Sequence, residues 1–192
     1  MIYEAVIVTR NADNTAHIAP LGFRWQTEQV VLAPFRPSTT LDNLQRSRQA
    51  VVNLTDNVAV IAGCLTGRRD WATVPAHRVR GWRLVDTLAH MELDIEGMED
   101  NELRPRFFCN VVHQETHSGF KGFNRAQAAV IEAAILVSRL HLLPADRIDN
   151  EIEYLKIALE KTAGERERLA WGWLMERIEA FRRKANQKAE SL

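Results

Sequence analysis

What most constrains the fold of this chain is a change of hydrophobic period part-way along it. Up to residue 123 apolar side chains recur at every second position between turn residues; beyond it they recur at helical spacing. Period two belongs to strands and a period near 3.6 to helices. The 192-residue chain is therefore expected to be mainly β with α. An antiparallel β-barrel is expected over 1–123, and a helical extension packing on it over 124–192. One full core with an appendage fits this length, and two independent enzymes do not.

In the strand part, Glu4, Val6 and Val8 alternate with Ala5, Ile7 and Thr9, and residues 30–33 form an apolar run suited to a strand covered on both faces. Ala89, Met91, Leu93 and Ile95 alternate with His90, Glu92, Asp94 and Glu96. A turn at 99–102 and a second run over 103–113 complete an antiparallel hairpin with one wet face. After Asn53, Asp56 is placed to cap a short helix carrying Val58, Ile61, Ala62 and Leu65 on one side, a buried strand being the alternative.

The helical part opens at Asn124, an N-cap with Gln127 three residues on, and stops at Pro144. Ala126, Ala129, Val130, Ala133, Val137 and Leu140 form one stripe. Helices over 146–162 and 165–189 follow, with Gly164 as terminator. The last presents Leu169, Trp173, Leu174, Ile178 and Phe181 on one side and frays after Lys184.

Charge and composition exclude several function classes. Lys plus Arg and Asp plus Glu each number 25, so no net field draws a polyanion, and nucleic acid is not expected as a partner. The first ten residues lack the basic and long apolar regions of a signal peptide, and no run is long enough to cross a bilayer, which reads as a cytoplasmic protein with no membrane partner. Cys64 and Cys109 lack the spacing of a disulfide framework or a zinc knuckle and read as small buried apolar groups.

No G-x-S-x-G elbow and no G-x-G-x-x-G turn is present, which removes the common hydrolase and dinucleotide settings. His113 and His117 in H-Q-E-T-H-S-G have helical zinc spacing. However, the acid is misplaced for that motif and the segment is a strand end, so no metal is assigned. Residues 67–83 hold five Arg with Trp71 and Trp82. They read as a solvated loop packed on the barrel, the alternative being a lid over an anionic aromatic ligand.

One stretch concentrates anion-binding groups. In V-V-L-A-P-F-R-P-S-T-T-L-D-N-L, Arg36 stands beside Ser38, Thr39 and Thr40 where a helix begins. Upstream, a strand ends in a Pro and Gly bend that frees backbone groups of Ala19, Pro20, Leu21 and Gly22 to meet a planar heterocycle. Asn53 stands on the strand after the helix. A second anion contact is offered by G-F-K-G-F-N-R-A, through Lys121, Arg125 and the helix start at Asn124.

Taken together, I-A-P-L-G, F-R-P-S-T-T-L-D-N-L, A-V-V-N-L-T-D and G-F-N-R-A-Q-A-A-V-I-E-A-A-I-L, with S-R-L soon after, resemble the FMN-binding split barrels of the flavin reductase type. Within them the likeness is to a family of unknown function found in archaea and methylotrophic bacteria, and it covers about residues 1–145. The resemblance implies a homodimer with FMN near the subunit interface. The phosphate would lie against Arg36, Ser38, Thr39 and Thr40 with Asn43 close by, and the flavin ring along Ala19, Pro20, Leu21 and Gly22. Asn53 would support the ribityl chain or the turn, and Lys121, Asn124 and Arg125 are candidates to complete the pocket from the partner subunit. It also implies a pterin-linked one-carbon substrate, by analogy.

The function this supports is an FMN-dependent oxidoreductase whose protein part orients the cofactor and excludes water, with a nicotinamide or pterin as donor or substrate and no assigned catalytic side chain. A non-catalytic FMN storage or sensor protein is the alternative. A heme-binding split barrel would need an axial ligand from His17, His77 or His90.

Overall fold

The computed structural model describes residues 1–190, with side chains through 187. It divides into two compact units, residues 1–56 with 70–120 and residues 57–69 with 121–192.

The first unit is built from β1 (Val6–Arg10), β2 (Ala16–Pro20), β3 (Phe23–Gln26), β4 (Gln29–Leu32), α1 (Thr39–Ser47), β5 (Gln49–Leu54), β6 (Thr73–Pro75), β7 (Trp82–Leu84), β8 (Ala89–Glu99) and β9 (Arg106–Thr116). Seven strands form one sheet in the order β2-β1-β5-β8-β9-β4-β3, each pair antiparallel, and β6 and β7 form a separate hairpin. The sheet curls into a split barrel. Tyr3 and Phe23 exchange backbone hydrogen bonds of 2.8 and 2.9 Å, which ties the chain ahead of β1 to β3 at the far edge. A Cβ at Gly22 would lie 2.7 Å from Ile2 Cγ2, so a side chain there would displace the exposed Ile2 rather than the backbone bridge.

The core runs from β1 to β9 through Ile7, Leu32, Val52, Leu93 and Phe107, and α1 plugs one part of it with Leu41 and Leu44. Each fully buried side chain of this size contributes roughly 1.5–3 kcal/mol. Arg48 ends α1 in the left-handed region at φ 53° and donates to the Ile95 and Glu96 carbonyls at 2.8 and 3.0 Å, pinning the helix to β8.

Two expectations change here. The β8 face carrying His90 and Glu92 is not wet, for both residues are fully buried and only from Asp94 onward is that face exposed. What covers it is the 70–83 part of the segment expected as a solvated loop. It folds back as the β6–β7 hairpin, and the backbone N–H groups of its tip, at His77, Arg78 and Val79, donate to the Glu92 carboxylate at 2.6, 2.6 and 2.9 Å.

The second unit comprises α2 (Val58–Leu65), α3 (Arg125–Ser138), α4 (Ala145–Thr162) and α5 (Glu165–Glu190). The α2 cap is Asn57, whose side chain accepts from Ala59 N–H, rather than Asp56. The α3 stripe is buried at every expected position from Ala126 to Leu140. In α5, by contrast, Leu169 is exposed and Ala170, Trp171, Leu174 and Ile178 face inward. Helix α4 ends at Thr162 with Ala163 as its C-cap, and Gly164 gives its N–H to Glu167 at 2.9 Å instead of adopting a left-handed turn. Helix α5 continues beyond Lys184 to Glu190; residues 191 and 192, where fraying was also expected, lie outside the described residues. No helix among the described residues is long and apolar enough to cross a membrane.

Candidate functional site

The hydroxyl-rich turn begins α1. Ser38 is the N-cap, extended at φ −160° and ψ 149°, and its Oγ accepts from Leu41 N–H at 3.2 Å. The N–H groups of Thr39 and Thr40 lie in the first turn, where a helix offers its own donors no acceptor, so they add to the positive end of the helix dipole. Arg36 donates to Asp100 at 2.7 Å, but the two side chains are 42% and 71% exposed. An exposed pair of this kind is worth no more than about 1 kcal/mol, which leaves the guanidinium free to exchange Asp100 for a better anion.

Thr40 joins this turn to β2. Its Oγ1 lies 3.2 Å from Nε2 of His17, two residues ahead of Ala19 on the same strand. In β2, Ala19 pairs with Ile7 and Pro20 with Val6, while Leu21 N–H donates to Ala5 O at 3.0 Å. Because β2 is an edge strand, its backbone groups turned away from β1 have no partner strand.

Two of the expected contacts are taken up by the protein. Asn43 is buried and donates to Thr9 Oγ1 and Asn11 Oδ1 at 3.0 and 2.9 Å, while its own Oδ1 accepts from Arg46 at 2.6 Å. Asn53 is fully buried, donates to Val6 O and Val51 O, and accepts from Leu84 N–H at 2.8 Å. Both hold the scaffold in shape. Asn53→Ala is expected to lower stability by about 2 kcal/mol, because the Leu84 N–H is left buried without an acceptor. A urea denaturation curve measures this.

Lys121, Asn124 and Arg125 lie in the second unit. Asn124 caps α3, accepting from Ala126 and Gln127 N–H and donating to Thr162 O at 3.0 Å, whereas Lys121 and Arg125 are exposed. Cys109 is in the barrel core, and burial pushes its thiol up to about 12, so it is inert as a nucleophile.

A second polar cluster joins histidines that the sequence shows only as separate candidates. The β8–β9 register sets His90 opposite Glu115 and Glu92 opposite His113, and His77 of the hairpin tip reaches the same place. His90 lies between Glu92, 3.2 Å from its Nε2, and His117, 2.9 Å from its Nδ1. Burial holds the His90 imidazole below its ordinary range, against the pull of Glu92. The signal was present in H-Q-E-T-H, where residues i, i+2 and i+4 share one face of a strand.

Residues 3–118 match the family described as protein of unknown function (DUF447), N-terminal domain, and residues 124–176 match the one described as protein of unknown function (DUF447). The chain belongs to the DUF447 family. No curated protein matches this DUF447 chain. Among solved structures it is similar to the FMN-bound DUF447 protein MM1853 of Methanosarcina mazei, at 16% identity and TM-score 0.79, covering 92% of this chain and 94% of that one. The FMN-binding protein of Thermus thermophilus matches at 12% identity and TM-score 0.52, over 59% of this chain and 69% of that one. Component B of nitrilotriacetate monooxygenase from Mycobacterium thermoresistibile matches at 15% and 0.53, over 62% and 70%. At these identities the likeness is one of fold, and the fold is that of the flavin-reductase-like split barrels.

Proposed function

We propose that this DUF447 chain binds FMN and works as a flavin-dependent oxidoreductase. One observation carries the reading: the His17–Thr40 contact sets the Arg36, Ser38, Thr39 and Thr40 turn beside the open edge of β2. The fold match to an FMN-bound DUF447 protein along nearly the whole of both chains supports it.

The donor set fits a phosphomonoester and a flat ring. Arg36 is held by an exposed and weak pair, Thr39 and Thr40 present first-turn N–H groups, and the β2 edge offers backbone groups to a heterocycle. In this reading Arg36, Ser38, Thr39 and Thr40 hold the phosphate and the backbone of Ala19, Pro20, Leu21 and Gly22 lines the ring. Asn43 and Asn53 keep those elements in register. Lys121, Asn124 and Arg125 lie in the second unit and stay the candidates to complete the pocket from the partner subunit of the proposed homodimer. When bound, FMN supplies hydride or electron transfer. The chain's own contribution is to bind, to orient and to exclude water, and no side-chain acid or base is assigned. A homodimer is part of the proposal, supported by exposed Ile2, Tyr3 and Trp25 around the Tyr3–Phe23–Trp25 ring cluster. A pterin-like substrate follows from the family resemblance alone, and a nicotinamide is the electron donor to be tested.

The test is the visible spectrum of the purified protein before and after NADH or NADPH. A yellow protein that bleaches and recolours in air supports the oxidoreductase. A yellow protein that neither nicotinamide reduces shifts the reading to FMN storage or sensing, and a colourless one that ignores added FMN overturns it.

A further inference from the structure

We propose that the β8–β9 face beneath the hairpin tip holds a divalent transition-metal ion of the zinc type, bound by His77, His113 and Glu115. These residues share nothing with the proposed phosphate turn, so this inference stands apart from the flavin reading.

Six titratable side chains crowd this face: His77, His90, Glu92, His113, Glu115 and His117. Three of them are already committed. Glu92 accepts from the N–H groups of His77, Arg78 and Val79 and faces the His90 ring, and His90 faces His117 in turn. The other three converge. Nε2 of His77 and Nε2 of His113 lie 3.5 and 3.9 Å from the same Glu115 oxygen, and one ligand atom from each of the three falls within 4.8 Å of the others. A tetrahedral ion with bonds of about 2.1 Å spaces its ligands about 3.4 Å apart, so small side-chain movements close the set.

A second, independent observation points the same way. His113 Nε2 is shut off from solvent and makes no hydrogen bond, although a carboxylate lies 3.9 Å away. A buried ring nitrogen without a partner calls for an explanation, and an ion between it and Glu115 provides one. Two imidazoles and one carboxylate favour zinc-like ions over calcium or magnesium, which select oxygen ligands. Three protein ligands leave a fourth position for water or a small ligand, and the 58% and 45% exposure of His77 and Glu115 gives an ion a way in. Glu92 is the positioning residue: its 2.6 Å bond to His77 N–H fixes the backbone from which that ligand reaches Glu115. Arg83, the cation facing His90, is offset by the Glu92 charge.

The test is calorimetric titration of the full chain, stripped with EDTA and dialysed, with Zn²⁺, backed by the visible bands of Co²⁺ in the same site. One ion per chain is expected. His77→Ala and His113→Ala should each weaken Zn²⁺ binding at least about tenfold, while His141→Ala, an exposed histidine of the second unit, leaves it unchanged. The His77 side chain is exposed, so its variant keeps the fold, which far-UV circular dichroism verifies. Failure of the wild-type protein to bind, or equal affinity in the wild type and His77→Ala, overturns the proposal and leaves His77 and Glu115 as a surface ion pair.

Discussion

Glu92→Ala should lower the unfolding free energy by about 4 kcal/mol, the cost expected when one partner of a buried, charge-bearing network is removed. The carboxylate is fully buried and accepts from three consecutive backbone N–H groups of the hairpin tip as well as facing His90. Without it, three donors lose their acceptor and the β6–β7 hairpin loses its clamp. Chemical denaturation gives the magnitude, and hydrogen exchange at residues 77–79 should rise beyond the global change. Equal exchange in wild type and variant would remove the clamp from the account.

The same residue sets an acid dependence. Burial alone would push the Glu92 carboxyl up, but the N–H groups of His77, Arg78 and Val79 and the His90 ring outweigh it and hold it at about 2 against an ordinary 4.5. A depressed carboxylate stabilises the fold above its unfolded value, and that stability is lost as pH falls from 4.5 toward about 2. His90 adds to the trend: burial holds its folded-state value below 6.5, so protonation favours the unfolded chain as pH drops below that point. The wild-type protein should therefore lose stability more steeply than Glu92→Gln between pH 4.5 and about 2. Parallel denaturation series across that range measure the difference.

The second large effect concerns the proposed flavin site. Arg36→Ala combined with Ser38→Ala should weaken FMN binding by about 3–6 kcal/mol, since each charge-assisted bond to a phosphate is worth roughly 1.5–3 kcal/mol. That is a loss of more than about a hundredfold in affinity. Ser38 also caps α1, and losing the cap costs about 1 kcal/mol of stability. The single variant Ser38→Gly separates the roles, because glycine retains most of the capping preference while removing the hydroxyl. Titrating FMN against each variant and following its fluorescence reads the affinities directly. An unchanged affinity in the double variant would remove the phosphate assignment.

Much of the architecture was legible because it rests on local periodicity. The switch from alternating to helical spacing near residue 123, the α3 stripe from Ala126 to Leu140 and the Asn124 cap each follow from side-chain direction and cap chemistry within a few residues. The hydroxyl-rich turn was readable for the same reason, since Ser38 caps α1 through a bond to a residue three positions on. The scaffold bonds of Asn43 and Asn53 are not legible locally, because their partners include Thr9, Asn11, Val6 and Leu84, up to 47 positions away.

The β8 face shows the limit most clearly. Alternation of His90 and Glu92 with Met91 and Leu93 marks two faces of a strand but does not say what covers the polar one. The cover is a segment rich in arginine that composition alone assigns to solvent, and its tip is drawn in by one buried carboxylate. Sequence by itself determined the strand and helix periods, the turn at the start of α1 and the family. Only the tertiary structure decided that His77, His113 and Glu115 meet, because strand register and hairpin docking are set by long-range pairing, which short-range spacing does not encode.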